Sequence, residues 1–184
     1  MKKHAGFTLI ELVVVIVILG ILAVTVAPRF LNLQDDAKVA RLEGMRGAIA
    51  AGLAMGYGKM AMAGLEHYRF ISNSATDPDI TPPTPKTSLP FTGCQIGGSE
   101  HCTFLYGYPD ADDTGLTIVV ANLKGEGSDW QVLRHPYDQN NPKPREVVVA
   151  VRGDANASMT QCGVRYAPPT TANAQYELEV LPCP

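Results

Sequence analysis

The pattern of apolar positions divides the N-terminal third of the chain into two parts. Residues 7–27 are apolar almost throughout and hold one charged side chain, Glu11. About 20 such residues are needed for a helix to cross a bilayer. The apolar residues that follow recur at the spacing of one helix face: Leu42, Met45, Ile49, Leu53 and Met60. We therefore expect one long helix from Phe7 to about Gly64, with a membrane or assembly part at 7–29 and an amphipathic part at 30–64.

The rest of the chain, residues 65–184, has the pattern of a β-rich head. Its first part is rich in turns, and the proline-rich stretch PDITPPTPKTSLP predicts an exposed, extended loop. Five short β-branched runs then predict strands: LTIVVANL (116–123), WQVL (130–133), REVVVAV (145–151), QCGVRY (161–166) and YELEVL (176–181). One long helix followed by consecutive strands indicates an α+β fold, with an antiparallel sheet packed on the second half of the helix.

The long helix has a stretch of weak helix-forming residues and, further along, a series of glycines. The stretch from Gly20 to Pro28 is poor in helix-forming residues. Pro28 frees the carbonyl of Val24, and we expect either the Thr25 hydroxyl or a local 3₁₀ adjustment to relieve it. Further along, glycines stand at positions 47, 52, 56, 58 and 64. Small residues allow close approach of another backbone, and the head's own sheet is the neighbour that we favour, with a contact to another subunit as an addition.

The four cysteines all lie in the second half of the chain, at Cys94, Cys102, Cys162 and Cys183. An even number in a loop-rich region is typical of a disulfide framework if that region is exported. Four thiols allow three pairings. We favour the local pairing, which joins the first two and the last two cysteines, because it closes the shortest loops, but the sequence does not decide between the three.

Glu11 is the unusual residue of the apolar run. A carboxylate in hydrocarbon costs about 3 kcal/mol without a partner, and the next cation along this helix is Arg29. One explanation is a position near the membrane interface, where the cost is small. The other needs cleavage after Gly6, which gives Phe7 a charged amine that a neighbouring copy's Glu11 can bind. A buried polar group then sets the register between subunits.

The leader and the start of the apolar run, MKKHAG-FTLIE, resemble the precursors of the type IV pilin family. The resemblance implies cleavage between Gly6 and Phe7 by a prepilin peptidase, which also methylates the Phe7 amine. It implies that Glu11 is needed for assembly, and that the segment between Gly20 and Pro28 becomes extended in the filament. A filament density that shows continuous helix there would contradict this.

The same resemblance implies the partners and the location. The expected partners are other copies of the chain in a homopolymer, the prepilin peptidase, the inner-membrane assembly machinery, and an unidentified surface receptor reached by adhesion. The subunit would cross the inner membrane once, with its C-terminus in the periplasm, before it joins an extracellular pilus. In this family a disulfide commonly bounds an exposed C-terminal loop, which implies a bond between Cys162 and Cys183.

Several other functions are open to the same residues. A plain signal anchor or a cleaved secretory signal would also carry an apolar run, although 21 residues exceed the usual length of a cleaved signal. A pseudopilin of a type II secretion system would have the same leader and helix. A pilin for DNA uptake would need a basic head, yet removal of Lys2 and Lys3 leaves 13 basic and 18 acidic residues, a net charge of −5. We therefore expect no nucleic-acid partner.

Candidate metal and catalytic groups are weak. Cys94, His101, Cys102 and Cys162 match no zinc-ligand spacing, and Asp110, Asp112 and Asp113 lack the spacing of a calcium loop of the EF-hand type. Nucleophile and phosphate-binding motifs are absent from the sequence. We predict no enzyme activity, no cofactor and no metal.

Overall fold

The computed structural model describes residues 7–76, 84–112, 114–123, 125, 127–135 and 145–184, with only the backbone of 27–32 and 34. The leader residues Lys2, Lys3 and Gly6, Asp113, and the first part of the proline-rich loop lie outside the described residues. The chain forms two compact units, residues 1–40 and 41–184. The first unit is helical where it is described, and the second holds the rest of the helix and all strands.

The predicted long helix is α1, Leu9–Met62, with 54 residues. It ends in a turn that satisfies its last carbonyls: Leu65 N donates to Met60 O (2.9 Å) and Gly64 N to Ala61 O (3.0 Å). Gly64 has a φ of +68°, the left-handed conformation that this helix ending requires. The helix therefore ends two residues before Gly64, close to the end that was expected.

The stretch between Gly20 and Pro28 is helical in the isolated chain. The Thr25 hydroxyl donates to Leu22 O (3.1 Å) and Ile21 O (3.4 Å). Of the two expected ways to relieve the Val24 carbonyl, the one through Thr25 was therefore wrong, because a threonine in a helix reaches back three or four residues to a carbonyl and not to its immediate neighbour. The predicted extension of this stretch concerns the filament and stays a prediction.

The predicted buried face of the second half of α1 is confirmed. Its five apolar residues, Leu42, Met45, Ile49, Leu53 and Met60, are all buried. Four of them join a core with buried residues of the strands, Val147, Val149, Val164 and Tyr166. The α+β architecture follows from this packing, since the helix and the sheet cover each other's apolar faces.

The main sheet is formed by the strands β4 Trp130–Arg134, β5 Val147–Val151, β6 Val164–Ala167 and β7 Glu177–Val180. They lie in the order β4-β5-β6-β7, and every pair is antiparallel. Each lies within or beside one of the predicted β-branched runs. The central strand β5 is buried on both faces, as its unbroken series of valines and alanine predicts.

A second antiparallel sheet was missed in the region expected to be turns. It has the order β1-β2-β3, with strands Ile71–Ser72, Thr103–Leu105 and Tyr108–Pro109. Strands of two or three residues carry no readable alternation. The β2–β3 hairpin turns through Tyr106 and Gly107, which both have positive φ, and a tyrosine in that position is not the usual turn signal.

The run LTIVVANL (116–123), predicted as a strand, contains instead the short helix α2, Gly115–Val119. The Asp112 carboxylate accepts hydrogen bonds from the hydroxyl and backbone N–H of Thr114 (2.9 Å each) and from the N–H of Gly115. These bonds satisfy donors that a helix start leaves free. The correction has a physical cause, because a short apolar run fits a strand and a buried helix equally well.

Helix α2 and the residue after it also correct the expected role of the α1 glycines. A Cβ added at Gly52 would lie 2.6 Å from Val119 O and 2.8 Å from Val120 Cγ2, and one at Gly56 would lie 2.8 Å from Val119 Cγ1. The close neighbour of these glycines is therefore the end of α2 and not the sheet. Gly47 and Gly58 have nothing within 4 Å of an added Cβ.

The cysteines form two local disulfides, Cys94–Cys102 and Cys162–Cys183. The first lies in a second core with Met60, Ile71 and Phe104. Buried Asn73 holds this disulfide loop: its Nδ2 donates to Gln95 O (3.0 Å) and Glu100 O (2.8 Å), and its Oδ1 accepts from Cys102 N (2.9 Å). One amide thus satisfies three backbone groups of the loop.

A buried hydrogen bond joins the two sheets. The Tyr166 hydroxyl of β6 donates to Pro109 O of β3 at 2.7 Å, and the side chain of Tyr166 is fully buried. Burial and the nearby Asp110 raise the pKa of this tyrosine well above its usual range. The hydroxyl therefore stays protonated and keeps donating at any physiological pH.

Candidate assembly site at the N-terminus of the long helix

The apolar first part of α1 is exposed along its length. Leu9–Val26 is long and apolar enough to cross a membrane, with a mean hydropathy of 3.1, and none of it is buried within the chain. Phe7 before it is 83% exposed. A helix that is hydrophobic on all sides needs an apolar environment on all sides, which lipid or other protein helices can supply.

Glu11 is bound at the start of this helix by Thr8. The Thr8 backbone N–H donates to Glu11 Oε2 at 2.8 Å, and the Thr8 hydroxyl donates to the same oxygen at 2.7 Å. In return, Glu11 N donates to Thr8 Oγ1 at 3.4 Å. Because α1 begins at Leu9, Thr8 is the N-cap and Glu11 the third helical residue, the arrangement known as a capping box.

The capping box changes the sequence-based view of Glu11. From the sequence, this carboxylate is expected to have no cation on its own helix, and among the described residues it indeed has none. It does, however, have two hydrogen-bond donors on Thr8. The signal was present in the sequence, since threonine followed three residues later by glutamate before an apolar run is the signature of a capping box.

The other predicted site residues are placed as follows. Phe7 stands just before α1, Gly20 and Pro28 lie within it, and Gly6 lies outside the described residues. The structure brings Thr8 and Glu11 together but does not bring Gly20 to either of them. An added Cβ at Gly20 would meet nothing within 4 Å, so no contact within the chain requires glycine there.

The head residues that were considered as metal ligands in the sequence are largely bound to other groups of the head. The four cysteines form two disulfides and are not free to bind a metal. Asp110 is paired with Arg145 (2.7 Å) and accepts from Ala111 N (2.8 Å), while Asp112 starts α2. Burial raises the pKa of Asp110 above its usual value, although the Arg145 guanidinium opposes this. Among the described residues, no group of three or more acidic, histidine or cysteine side chains is arranged to hold a metal.

Comparison with known proteins places a match on the same N-terminal region. Residues 1–27 match the family model described as the prokaryotic N-terminal methylation motif. The chain carries a type IV pilin-like N-terminal segment. Type II secretion system core protein G of Pseudomonas aeruginosa is 52% identical over 54 residues, 29% of this chain and 38% of that protein.

A second relative points to pili. The type IV narrow pilus major component PilA5 of Thermus thermophilus is 46% identical over 53 residues, 29% of this chain and 46% of that protein. The chain thus aligns with less than half the length of either relative. No solved structure matches. The match to the family model covers the leader and the first part of α1, and the head has to be understood from its own structure.

Proposed function

We propose that this chain is the structural subunit of a type IV pilus that serves adhesion and biofilm formation. The observation that carries the proposal is the exposed apolar helix Leu9–Val26 with a carboxylate held at its start. In the membrane this helix is covered by lipid. Once the subunit leaves the membrane, only the same helix of other copies offers an equally apolar cover, so that the helices form a common core.

Processing at the N-terminus supplies the missing cation in this proposal. Cleavage between Gly6 and Phe7 gives Phe7 a charged amine, which is then methylated. Glu11 of one copy pairs with this amine on another, and this pair fixes the stagger between neighbouring helices. Gly20 and Pro28 weaken the helix between them, which allows that stretch to extend as the subunits pack.

The narrower identity also belongs to this proposal. Residues 13–49 together with YGYP at 106–109 resemble the mannose-sensitive haemagglutinin pilin. Pili of that type attach cells to surfaces, and the relative PilA5 is named as a major pilus component. The first likeness favours an adhesive pilus, and the second favours a pilus subunit.

A pseudopilin of a type II secretion system is the second candidate, and the identity to core protein G favours it. Major pseudopilins typically lack disulfide pairs and carry a calcium site near the C-terminus. This chain has two disulfides in the head, and Asp110 and Asp112 are used within the fold. These features favour the pilus.

The test is to shear filaments from cells that express the full chain and to sequence the dominant protein. An N-methylated Phe7 at its start is expected. Glu11→Ala should abolish the filaments, whereas Glu43→Ala should not, since this exposed glutamate pairs with Arg46 on the same helix (2.7 Å), and an exposed pair of this kind contributes little. Normal surface fibres in cells lacking the chain, together with a loss of protein secretion, would overturn the pilus in favour of the pseudopilin.

A further inference from the structure

The head has an open cleft between α1, strand β3 and the edge strand β7. Its volume is about 400 Å³, which is in the range of small-molecule sites. The lining side chains are Arg46, Ala50, Tyr108, Gln175, Tyr176 and Leu178. All of them belong to the second compact unit, so the head forms this cleft by itself.

One wall of the cleft is an aromatic surface whose rings are held by their neighbours. Tyr108 is stacked on Tyr57, with 5.0 Å between the ring centroids, and tilted against Tyr176 at 5.2 Å. Gly107 makes room for this arrangement, since an added Cβ there would lie 2.8 Å from Cδ2 of Tyr57. Because the rings are already fixed, a ligand that stacks on them has little side-chain ordering to induce.

The polar groups beside this wall are available to a ligand. Within the described part of the chain, the hydroxyls of Tyr108 and Tyr176 and the side-chain amide of Gln175 make no hydrogen bond. Burial, followed by the neighbouring Tyr57 and Tyr176, raises the pKa of Tyr108 above its usual value, so its hydroxyl stays protonated and able to donate. Two phenol groups and one amide therefore offer both donors and acceptors next to the rings.

Arg46 is the one charged side chain among the described residues that line the cleft. Its Nε donates to Glu43 Oε2 at 2.7 Å. Its two terminal nitrogens make no bond to any described residue, and they form a planar fork that fits both oxygens of a carboxylate. An anionic group can therefore bind here without meeting an acidic side chain of the lining.

A sugar ring that carries a carboxyl group matches all three features of the cleft. A pyranose has a face of C–H groups that packs on an aromatic ring, and a rim of hydroxyls that pair with phenol and amide groups. In a uronic acid, the carboxylate at C6 adds a partner for a guanidinium. A plain anion would leave the rings unused, and an apolar ligand would leave the polar groups of the cleft unpaired.

We propose that this cleft binds a uronic acid residue of an acidic polysaccharide, with the sugar ring on Tyr108 and Tyr176 and its carboxylate on Arg46. Binding of this kind goes beyond the proposed function, because it needs only the head of one chain and no assembly step. It can be measured on the unassembled subunit.

The experiment is a calorimetric titration of the full chain in detergent with a trimer of galacturonic acid. Saturable binding with a Kd of about 1 mM or lower is expected. The neutral trimer of galactose keeps the rings and most hydroxyls but has no carboxylate, so it should bind about tenfold more weakly. No binding of the acidic trimer at about ten times the expected Kd, or equal binding of the two trimers, would overturn the proposal.

A trimer of glutamate separates a sugar site from a general anion site. It carries side-chain carboxylates but no sugar ring to pack on the tyrosines, and should bind about tenfold more weakly than the galacturonic acid trimer. If it binds equally well, Arg46 attracts any anion and the cleft does not recognise a sugar.

The arginine variants test the carboxylate. Arg46→Gln should weaken binding of the galacturonic acid trimer about tenfold and leave binding of the galactose trimer unchanged. The matched control is Arg41→Gln, because the side chain of Arg41 is 44% exposed against 48% for Arg46 but pairs with Asp129 outside the cleft. Equal affinities of Arg46→Gln and Arg41→Gln for the acidic trimer would contradict the assigned role of Arg46.

The tyrosine variants test the stacking surface. Tyr176→Leu removes the ring and should weaken binding of both sugar trimers, whereas Tyr176→Phe keeps the ring and should retain most of the affinity. Circular dichroism of each variant verifies that the head is folded, and the Arg46 variants decide the question if Tyr176→Leu does not fold. Loss of sugar binding leaves the pilus proposal intact, since that proposal is tested separately by filament formation in Glu11→Ala.

Discussion

Gly52 of α1 offers a quantitative test of how the helix packs in the head. An added Cβ would lie 2.6 Å from Val119 O, 2.8 Å from Val120 Cγ2 and 3.2 Å from Val119 C. Two of these atoms belong to the backbone of α2, which cannot rotate away as a side-chain end can. Gly52→Ala must therefore displace α2 or bend α1, and overpacking of this kind costs about 1–3 kcal/mol.

The matched control is Gly47→Ala on the same helix. An added Cβ at Gly47 meets nothing within 4 Å. Both substitutions gain the same helix propensity, up to about 1 kcal/mol for alanine over glycine. The difference in unfolding free energy between the two variants therefore isolates the clash, and we expect Gly52→Ala to be less stable by about 1–3 kcal/mol.

Thermal unfolding of the full chain in detergent, followed by circular dichroism, measures this difference. For a protein of this size, 1 kcal/mol corresponds to a shift of about 2–4 °C in Tm. At the middle of the expected range, Gly52→Ala should melt about 4–8 °C below Gly47→Ala. Equal melting temperatures would refute the close packing of α2 on α1.

Three further predictions concern the head. Replacing Asn73 by Leu should lower the unfolding free energy by roughly 1–3 kcal/mol, because it removes the partner of three backbone groups of the disulfide loop, of which the Cys102 N–H is buried; unchanged denaturant unfolding would contradict this role. Replacing Cys162 and Cys183 by Ser should cost about 3 kcal/mol, as expected for a sequence separation of 21. Reductant should destabilise wild type more than the serine variant, which keeps only the Cys94–Cys102 bond, and equal effects of reductant on the two would contradict this. The raised pKa of Asp110 means that the folded state binds this proton more tightly than the unfolded state, so its contribution to stability falls as pH rises from about 3.8 through the folded pKa. Melting temperatures of Asp110→Asn and wild type should accordingly diverge in favour of the variant over that pH range, and a constant difference from pH 3 to 7 would show that the carboxyl is not perturbed.

Local patterns in the sequence were enough to predict the second half of α1 and the strands of the main sheet. The spacing of Leu42, Ile49 and Leu53 defines the buried face of α1, and the β-branched runs locate β4 to β7. The period of apolar residues identifies the helix, whereas the strands are identified by β-branched runs that turn residues separate. The α+β class of the fold followed from these two signals.

The parts that were missed depend on contacts between distant residues. Helix α2 exists because Asp112 binds its first N–H groups and because Gly52 leaves room for its end. Strand β1 pairs Ile71 with Phe104, which is far away along the chain. Such pairings leave little trace in short segments. The capping box was different, because its signal is local and could have been read from FTLIE.

The bond from Tyr166 to Pro109 has a consequence for how the head comes apart. It ties the four-stranded sheet to the smaller one through a donor that water cannot replace while the site is closed. Without this bond, the Tyr166 hydroxyl and the Pro109 carbonyl would be left unpaired in the interior of the head. Neither sheet can therefore open alone at low cost. Under mechanical load the head should yield abruptly, as a single cooperative block.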